Sequence, residues 1–105
     1  IEYLVERLAQ CRPKPDGLFI PYDFATALAY PVLQKAGIIP GEDIQVISVN
    51  NEESCLAGLK PRPATIDIQM ESMSRHAVEL LLWKVAHPEE ASRTQVVVEP
   101  ELVLD

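Results

Sequence analysis

The fold is decided by residues 17–49, GLFIPYDFATALAYPVLQKAGIIPGEDIQVISV. Residues 17–21 are a short apolar run between turn residues, which is typical of a strand buried on both faces. Asp23 then predicts a helix cap, and the apolar residues of 24–36 recur at helical spacing. Residues 44–49 are rich in β-branched side chains and predict a second buried strand. The stretch therefore predicts a strand, helix and strand unit with parallel strands.

The segments on either side of this unit continue the alternation of helix and strand. Apolar stripes at helical spacing predict a first helix and a long later one, and β-branched runs predict further strands. The remaining expected elements are a helix over 1–12, one or two helical turns over 52–58, a strand over 65–68, the longest helix over 70–87, and strands over 94–98 and 102–104. The sequence thus predicts an α/β fold built of parallel-sheet βαβ units.

Composition limits both the size of the protein and its partners. With 105 residues, 48% of them hydrophobic, the chain can bury one modest core and is too short for a two-domain enzyme. Its net charge of -7 repels nucleic-acid phosphates and anionic lipid. Its apolar runs fall short of the roughly 18 residues that span a bilayer. We therefore expect this chain to contact neither nucleic acid nor a membrane.

Side chains for catalysis or metal binding are sparse. Cys11 and Cys55 are far apart and lack a partner pattern of histidines, which favours a reducing compartment and argues against a disulfide framework or a metal cage. His76 and His87 are expected at the surface. The four glycines are isolated from one another, so no phosphate-binding loop is present. We expect no catalytic residue, no metal and no cofactor.

Polar side chains follow both strands of the βαβ unit. Tyr22 and Asp23 come after the first strand, and Asn50 and Asn51 come after the second. Open α/β sheets bind their ligands at the carboxyl ends of the strands. Amides and carboxylates pair with vicinal hydroxyls while an aromatic ring covers an apolar sugar face, so this set suits a polyhydroxylated ligand. The structural alternatives are an N-cap role for Asp23 and a turn role for Asn50.

Several motifs in fixed order extend this pattern over nearly the whole chain. They are PDGLFIPYD at 15–23, LQKAG at 33–37, IPGEDIQVISVNN at 39–51, PATI at 63–66, SRHAVELLL at 74–82 and VEPELV at 98–103. Together these motifs resemble the LacI/GalR family of bacterial transcription regulators. The resemblance implies a fragment of a periplasmic-binding-protein-like (type I) sugar-sensing fold, in which two α/β lobes close on a small effector.

The resemblance also carries expectations about domain organisation. Residues 1–105 would be the C-terminal portion of an effector-binding domain, with the DNA-binding helix-turn-helix and most of the first lobe in sequence outside this chain. The helix over 70–87 would cross back to that first lobe. Operator DNA would be bound only through the N-terminal domain.

Two positions depart from the family pattern. The family usually has Asn-Asp where this chain has Tyr22-Asp23, and its effector-binding Asp is matched here by Asn50. An amide in place of a carboxylate keeps an acceptor oxygen, loses the charge and adds a donor. This departure leaves the identity of the effector open, and it is compatible with a neutral sugar while disfavouring a cationic ligand.

Three functions compete at this point. The leading one is the effector-binding and dimerisation module of a cytoplasmic LacI-type regulator or repressor, non-catalytic and homodimeric. The alternatives are a periplasmic sugar-binding receptor of the same fold and a fragment of an α/β enzyme. The helix over 70–87 carries more apolar surface than the predicted strands can cover, so the isolated chain is expected to self-associate.

Overall fold

A computed structural model describes residues 1–104, which form four helices and four strands within that range. In chain order these elements are α1 Glu2–Gln10, β1 Gly17–Phe19, α2 Asp23–Lys35, β2 Gln45–Val49, α3 Glu53–Leu56, β3 Ala64–Asp67, α4 Met70–Ala86 and β4 Glu101–Val103. The predicted α/β class and the order of the first seven elements are confirmed.

The strands form one sheet in the order β1-β2-β3-β4. Strands β1, β2 and β3 pair in parallel, with Leu18 opposite Val46 and Ser48 opposite Thr65. Strand β4 pairs with β3 in the antiparallel direction, with Leu102 opposite Ile66. Because β1, β2 and β3 run the same way, their carboxyl ends meet at one edge of the sheet. That edge carries the polar residues singled out from the sequence.

The hydrophobic core lies between the sheet and the helices α1 and α2. The strand β2 alternates, so that Val46 and Ser48 are buried while Gln45 and Ile47 point to the other face. On the helix side, Leu33 of α2 is fully buried. The buried apolar cluster consists of Val5, Ile20, Ala29, Tyr30, Leu33, Ile44 and Val46. Burial of a leucine of this kind stabilises a fold by about 1.5 to 3 kcal/mol.

Large apolar side chains are exposed on the opposite face of the sheet and along most of α4. Phe19 and Ile47, which pair in register, are 60% and 38% exposed. Parallel sheets normally have both faces covered. None of the residues of α4 is buried, although Leu81 and Leu82 are among its side chains. These two apolar surfaces are therefore available for contact with another part of a larger protein or with a partner.

Three expectations from the sequence are wrong. The strands β1 and β2 are each covered on one face only, since Phe19 and Ile47 are exposed on the other. The other two concern residues 94–98 and Asp23. Residues 94–98 form no strand, although Val96, Val97 and Val98 have high β propensity, because no neighbouring strand pairs with them within residues 1–104. Asp23 does not cap α2: the N-cap residue is Tyr22, without a side-chain capping bond, and the carboxylate of Asp23 bonds to other segments. Tertiary contacts outweigh local propensity at both places.

Candidate functional site

Asp23 lies at the centre of the polar edge and is completely buried. Its Oδ2 accepts a hydrogen bond of 2.7 Å from the backbone N–H of Glu52, and its Oδ1 accepts one of 3.0 Å from the hydroxyl of Thr65. A buried carboxylate is tolerated where donors satisfy both oxygens. Asp23 thereby joins α2 to the segments that follow β2 and enter β3, and neither of its oxygens is left without a donor.

A hydrogen bond between two hydroxyl groups, one on α2 and one on β2, stabilises the region around Asp23. The hydroxyls of Thr26 and Ser48 lie 2.6 Å apart, and both residues are fully buried. This bond fixes the first turn of α2 against β2, one residue before the polar end of that strand. The position of Asp23 is therefore held by the packing of its own helix.

Asn50 and Asn51 follow β2 in the left-handed region of backbone conformation, with φ of 116° and 54°. The backbone N–H of Asn50 donates to the carbonyl oxygen of Ile66 at 2.8 Å. Its half-buried side chain makes no hydrogen bond within residues 1–104. Asparagine tolerates positive φ better than other non-glycine residues, so this geometry also fits the turn role considered for Asn50. The amide of Asn50 is thus a free donor and acceptor at the edge.

Asn51 is held more firmly than its neighbour. Its backbone N–H donates to Thr65 Oγ1 at 3.1 Å, and its side-chain Nδ2 donates to Asp67 Oδ2 at 3.1 Å. Its Oδ1 accepts no hydrogen bond within residues 1–104. The two asparagines therefore differ, since Asn50 presents a whole free amide whereas Asn51 keeps its acceptor oxygen and one of its two side-chain N–H groups.

Asp67 is a residue of this edge that sequence reasoning missed. It is the last residue of β3, and its Oδ1 accepts a hydrogen bond of 2.7 Å from the backbone N–H of Gln69. The third strand was predicted over 65–68, so Asp67 stood one residue before its expected end, and a carboxylate so close to the carboxyl end of a parallel strand was a readable signal. The structure brings Asn51 and Asp67 together through a direct bond.

Tyr22 lies at the border of a second, apolar surface. It is 50% exposed, and its side chain makes no hydrogen bond within the described chain. It lines a groove of about 610 Å³ formed by α1, β1 and α2, together with Phe19, Phe24 and Leu28. The apolar lining of this groove offers few hydrogen-bond partners for a polyhydroxylated ligand. The polar edge is the better candidate for such a ligand.

Charged groups beside the edge do not form an acid/base site. Glu53 begins α3 and pairs with Arg62 at 2.6 Å, and this hydrogen bond and charge hold the pKa of Glu53 below its usual value. Burial and the nearby carboxylate of Glu52 raise the pKa of Cys55, which keeps the thiol protonated at neutral pH. A lowered carboxylate pKa is the opposite of what a general acid needs, and a raised thiol pKa is the opposite of what a cysteine nucleophile needs.

Other chemistry is equally sparse in the part of the chain that is described. Among residues 1–104, no group of three His, Cys, Asp or Glu side chains is placed to hold a metal ion. His87 stacks on Trp83 at the exposed end of α4, with ring centroids 4.3 Å apart. Over the same range, no helix combines the length and apolar character needed to cross a membrane. What the edge offers is hydrogen bonding.

Comparison with known proteins shows which family this chain belongs to. The chain matches the periplasmic binding protein-like domain over residues 1–104. The chain belongs to this family. This chain is also 30% identical, over 103 residues, to the HTH-type transcriptional repressor PurR of Aliivibrio salmonicida (strain LFI1238). That alignment covers 88% of this chain and 31% of the repressor, so the chain spans about a third of the length of this relative.

Solved structures show the same fold. A transcriptional regulator CelR-cellobiose complex superposes with a TM-score of 0.84 at 21% identity, over 98% of this chain and 31% of that one. A periplasmic binding protein/LacI transcriptional regulator from Alkaliphilus metalliredigens QYMF, complexed with D-xylulofuranose, gives a TM-score of 0.73 at 24% identity, over 94% and 35% of the two chains. The resemblance to LacI-type regulators predicted from the sequence is confirmed.

Proposed function

We propose that this chain is the effector-binding portion of a LacI-type transcriptional regulator and that its effector is a small neutral sugar. The chain's own contribution is binding, and no catalytic step is assigned to it. The whole protein would act in the cytoplasm as a homodimer, and it would reach operator DNA through a domain outside this chain. The proposed site residues are Asn50, Asn51, Tyr22 and Asp23, of which Asp23 acts by positioning the others.

One observation carries the proposal: Asn50 presents an unpaired amide from a left-handed backbone at the carboxyl end of β2. An amide without a charge donates to one hydroxyl and accepts from another, which matches vicinal hydroxyls of a sugar. The position is where open α/β sheets bind ligands. Two regulators of the same fold are described as complexes with cellobiose and with D-xylulofuranose, which supports the choice of a sugar.

The four proposed residues have different roles. Asn50 and Asn51 supply polar atoms that face no protein partner, and these are the direct contacts. Asp23 is a positioning residue, because both of its oxygens already accept hydrogen bonds. Tyr22 is half exposed at the N-cap of α2, where its ring can cover an apolar sugar face.

The domain organisation is part of the same proposal. Residues 1–105 would be the C-terminal portion of the effector-binding domain, and a first lobe from the rest of the polypeptide would pack against α4. The absence of any buried residue in α4 supports this, because a 17-residue helix that includes leucines and a tryptophan needs an apolar partner.

Thermal unfolding of the full-length protein tests the ligand class. Neutral monosaccharides and disaccharides are compared with amino acids and sugar phosphates, each at millimolar concentration. A ligand at 100 times its Kd stabilises the folded state by about 2.7 kcal/mol, which raises Tm by several degrees. We expect this rise with at least one neutral sugar. A rise only with charged metabolites would overturn the assignment to a neutral sugar.

A further inference from the structure

The start of α4 has an unusual backbone. Gln69, the N-cap residue of α4, has φ 56° and ψ 53°, in the left-handed region. Asparagine and glycine adopt this region readily, but a residue with a long side chain such as glutamine seldom does. Such a conformation persists only where surrounding contacts fix it. Hydrogen bonds from both the backbone and the side chain of Gln69 provide such contacts.

Asp67 provides one of these contacts and also reaches the candidate site. Its Oδ1 accepts from the backbone N–H of Gln69 at 2.7 Å, and its Oδ2 accepts from Asn51 Nδ2 at 3.1 Å. One carboxylate therefore holds two of the three non-glycine residues with positive φ in residues 1–104. Asn51 lies beside the free amide of Asn50, so the carboxylate bridges the candidate site and the helix start.

The chain of bonds continues to a third segment. Gln69 Nε2 donates to the backbone carbonyl of Glu99 at 2.6 Å, shortly before β4 begins. Asn51, Asp67, Gln69 and Glu99 are called the Asp67 network below. This network ties together the end of β2, the connection from β3 into α4 and the connection into β4.

Within residues 1–104, the start of α4 is held by this network more than by apolar packing. None of its residues is buried, so few apolar contacts hold it against the sheet. Its first turn is attached through Gln69, whose carbonyl accepts from the N–H of Met73 at 2.9 Å. A change in the backbone of Gln69 is therefore passed directly to the first turn of α4.

We propose that Asp67 is a positioning residue that couples the side chain of Asn51 to the first turn of α4. A ligand hydroxyl that donates to the free Oδ1 of Asn51 pulls on this amide and so acts on the bond from its Nδ2 to Asp67. Loss of that bond weakens the hold of Asp67 on Gln69 and alters the start of α4. The use of this coupling in regulation rests on the proposed function, whereas the coupling itself is a property of the fold.

Amide hydrogen exchange of the full-length protein, without ligand, tests the coupling. Asn51→Asp places a second carboxylate against Asp67, and the two like charges repel at this separation. We expect exchange at the amides of Gln69 and Met73 to become faster by about tenfold or more, as for local opening of a helix end. Exchange at Val46 and Ser48 in the centre of the sheet should stay unchanged.

Two variants make this result specific. Asn50→Asp adds the same charge at the neighbouring residue, which also has a positive φ but no bond to Asp67, and exchange at Met73 should match that of the unmodified protein. The double variant Asn51→Asp with Asp67→Asn exchanges carboxylate and amide. The amide at position 67 donates to the carboxylate at position 51 and still accepts from Gln69, so slow exchange should return.

Each possible result either supports or overturns the coupling between Asn51 and α4. Unchanged exchange in Asn51→Asp, equal acceleration in Asn50→Asp, or no recovery in the double variant would each overturn the coupling. If Asn51→Asp alone fails to fold, recovery of folding and of slow exchange in the double variant supports it, and failure of recovery overturns it. If the coupling is found and no sugar binds, the proposed function fails while the role of Asp67 stands.

Discussion

Asp23 on α2 accepts a hydrogen bond from the hydroxyl of Thr65 on β3, 42 residues later in the sequence, at a distance of 3.0 Å. Both residues are almost completely buried. Together with the bond from Glu52, this contact fixes how the polar ends of β1, β2 and β3 lie relative to one another. The geometry of the candidate site thus depends on a buried carboxylate in addition to the residues that face the ligand.

Replacing Asp23 tests that dependence. Asp23→Asn keeps one acceptor oxygen and turns an N–H group toward a protein donor, which leaves a buried donor unsatisfied. We expect a loss of about 1 to 3 kcal/mol in the free energy of unfolding, measured by urea denaturation. Asp16→Asn is the matched control, since Asp16 is exposed, and its effect should stay within about 0.5 kcal/mol. Equal stability of the two variants would contradict a structural role for the Asp23 carboxylate.

Tyr30 gives a prediction about pH. Burial raises the pKa of Tyr30, and its hydroxyl donates to the carbonyl of Pro61 at 2.7 Å. Because the folded-state pKa exceeds the unfolded value, the unfolded state ionises first as pH rises. The contribution of Tyr30 is therefore fully present below about pH 10 and is lost as pH rises through the folded pKa.

The measurement compares Tyr30→Phe with the unmodified protein at pH 8 and at pH 10.5. At pH 8 we expect the variant to be less stable by about 0.5 to 1.5 kcal/mol because the hydrogen bond to Pro61 is lost. At the higher pH the difference should shrink. Tyr3→Phe, at a side chain that is 64% exposed, serves as the control. A difference that is the same at both pH values would contradict the effect of burial.

Much of the fold follows from local pattern. The strands β1 and β2, the helix between them and the long α4 were predicted within two residues of their observed ends, because each has a clear apolar period and turn residues at its limits. The site was predicted less completely. The position of Asn50 follows from strand order alone, but the bonds of Asp23 to Thr65 and of Asn51 to Asp67 join segments that are far apart in sequence.

The wrong predictions for residues 94–98 and for Asp23 have the same physical cause. Valines at 96–98 favour a strand, yet a strand forms only where another pairs with it. Asp23 has the local sequence of an N-cap, but two donors from other segments take its oxygens. Local propensity gives what a segment prefers, and the tertiary partners that override this preference are not encoded nearby.

The charge of the chain gives a prediction about DNA. A net charge of -7 provides no release of counterions from phosphates, so the 105-residue chain should not bind duplex DNA at physiological salt. The full-length protein should bind DNA through the proposed N-terminal domain. Mobility-shift assays on both proteins, with duplexes of several lengths, check this. A shift of DNA by the 105-residue chain would contradict the division of roles.

The exposed face of α4 gives a prediction about assembly. Leu81 and Leu82 are 63% and 64% exposed, and covering each is worth about 1.5 to 3 kcal/mol. We expect the isolated 105-residue chain to self-associate at tens of micromolar in analytical ultracentrifugation. Replacing both leucines by serine should shift it toward monomer, whereas Glu79→Ser on the same helix should not. A stable monomer of the unmodified chain would show that α4 needs no partner.

Calorimetric titration of neutral monosaccharides and disaccharides into the full-length protein tests the central claim most directly. We predict that at least one sugar binds and that Asn50→Ala weakens its affinity about 5- to 150-fold, since each lost hydrogen bond with an unsatisfied partner costs about 1 to 3 kcal/mol. Gln34→Ala, at an exposed position of α2, should leave the affinity unchanged. Absence of binding by every sugar, or equal affinity in Asn50→Ala and the unmodified protein, would contradict the account.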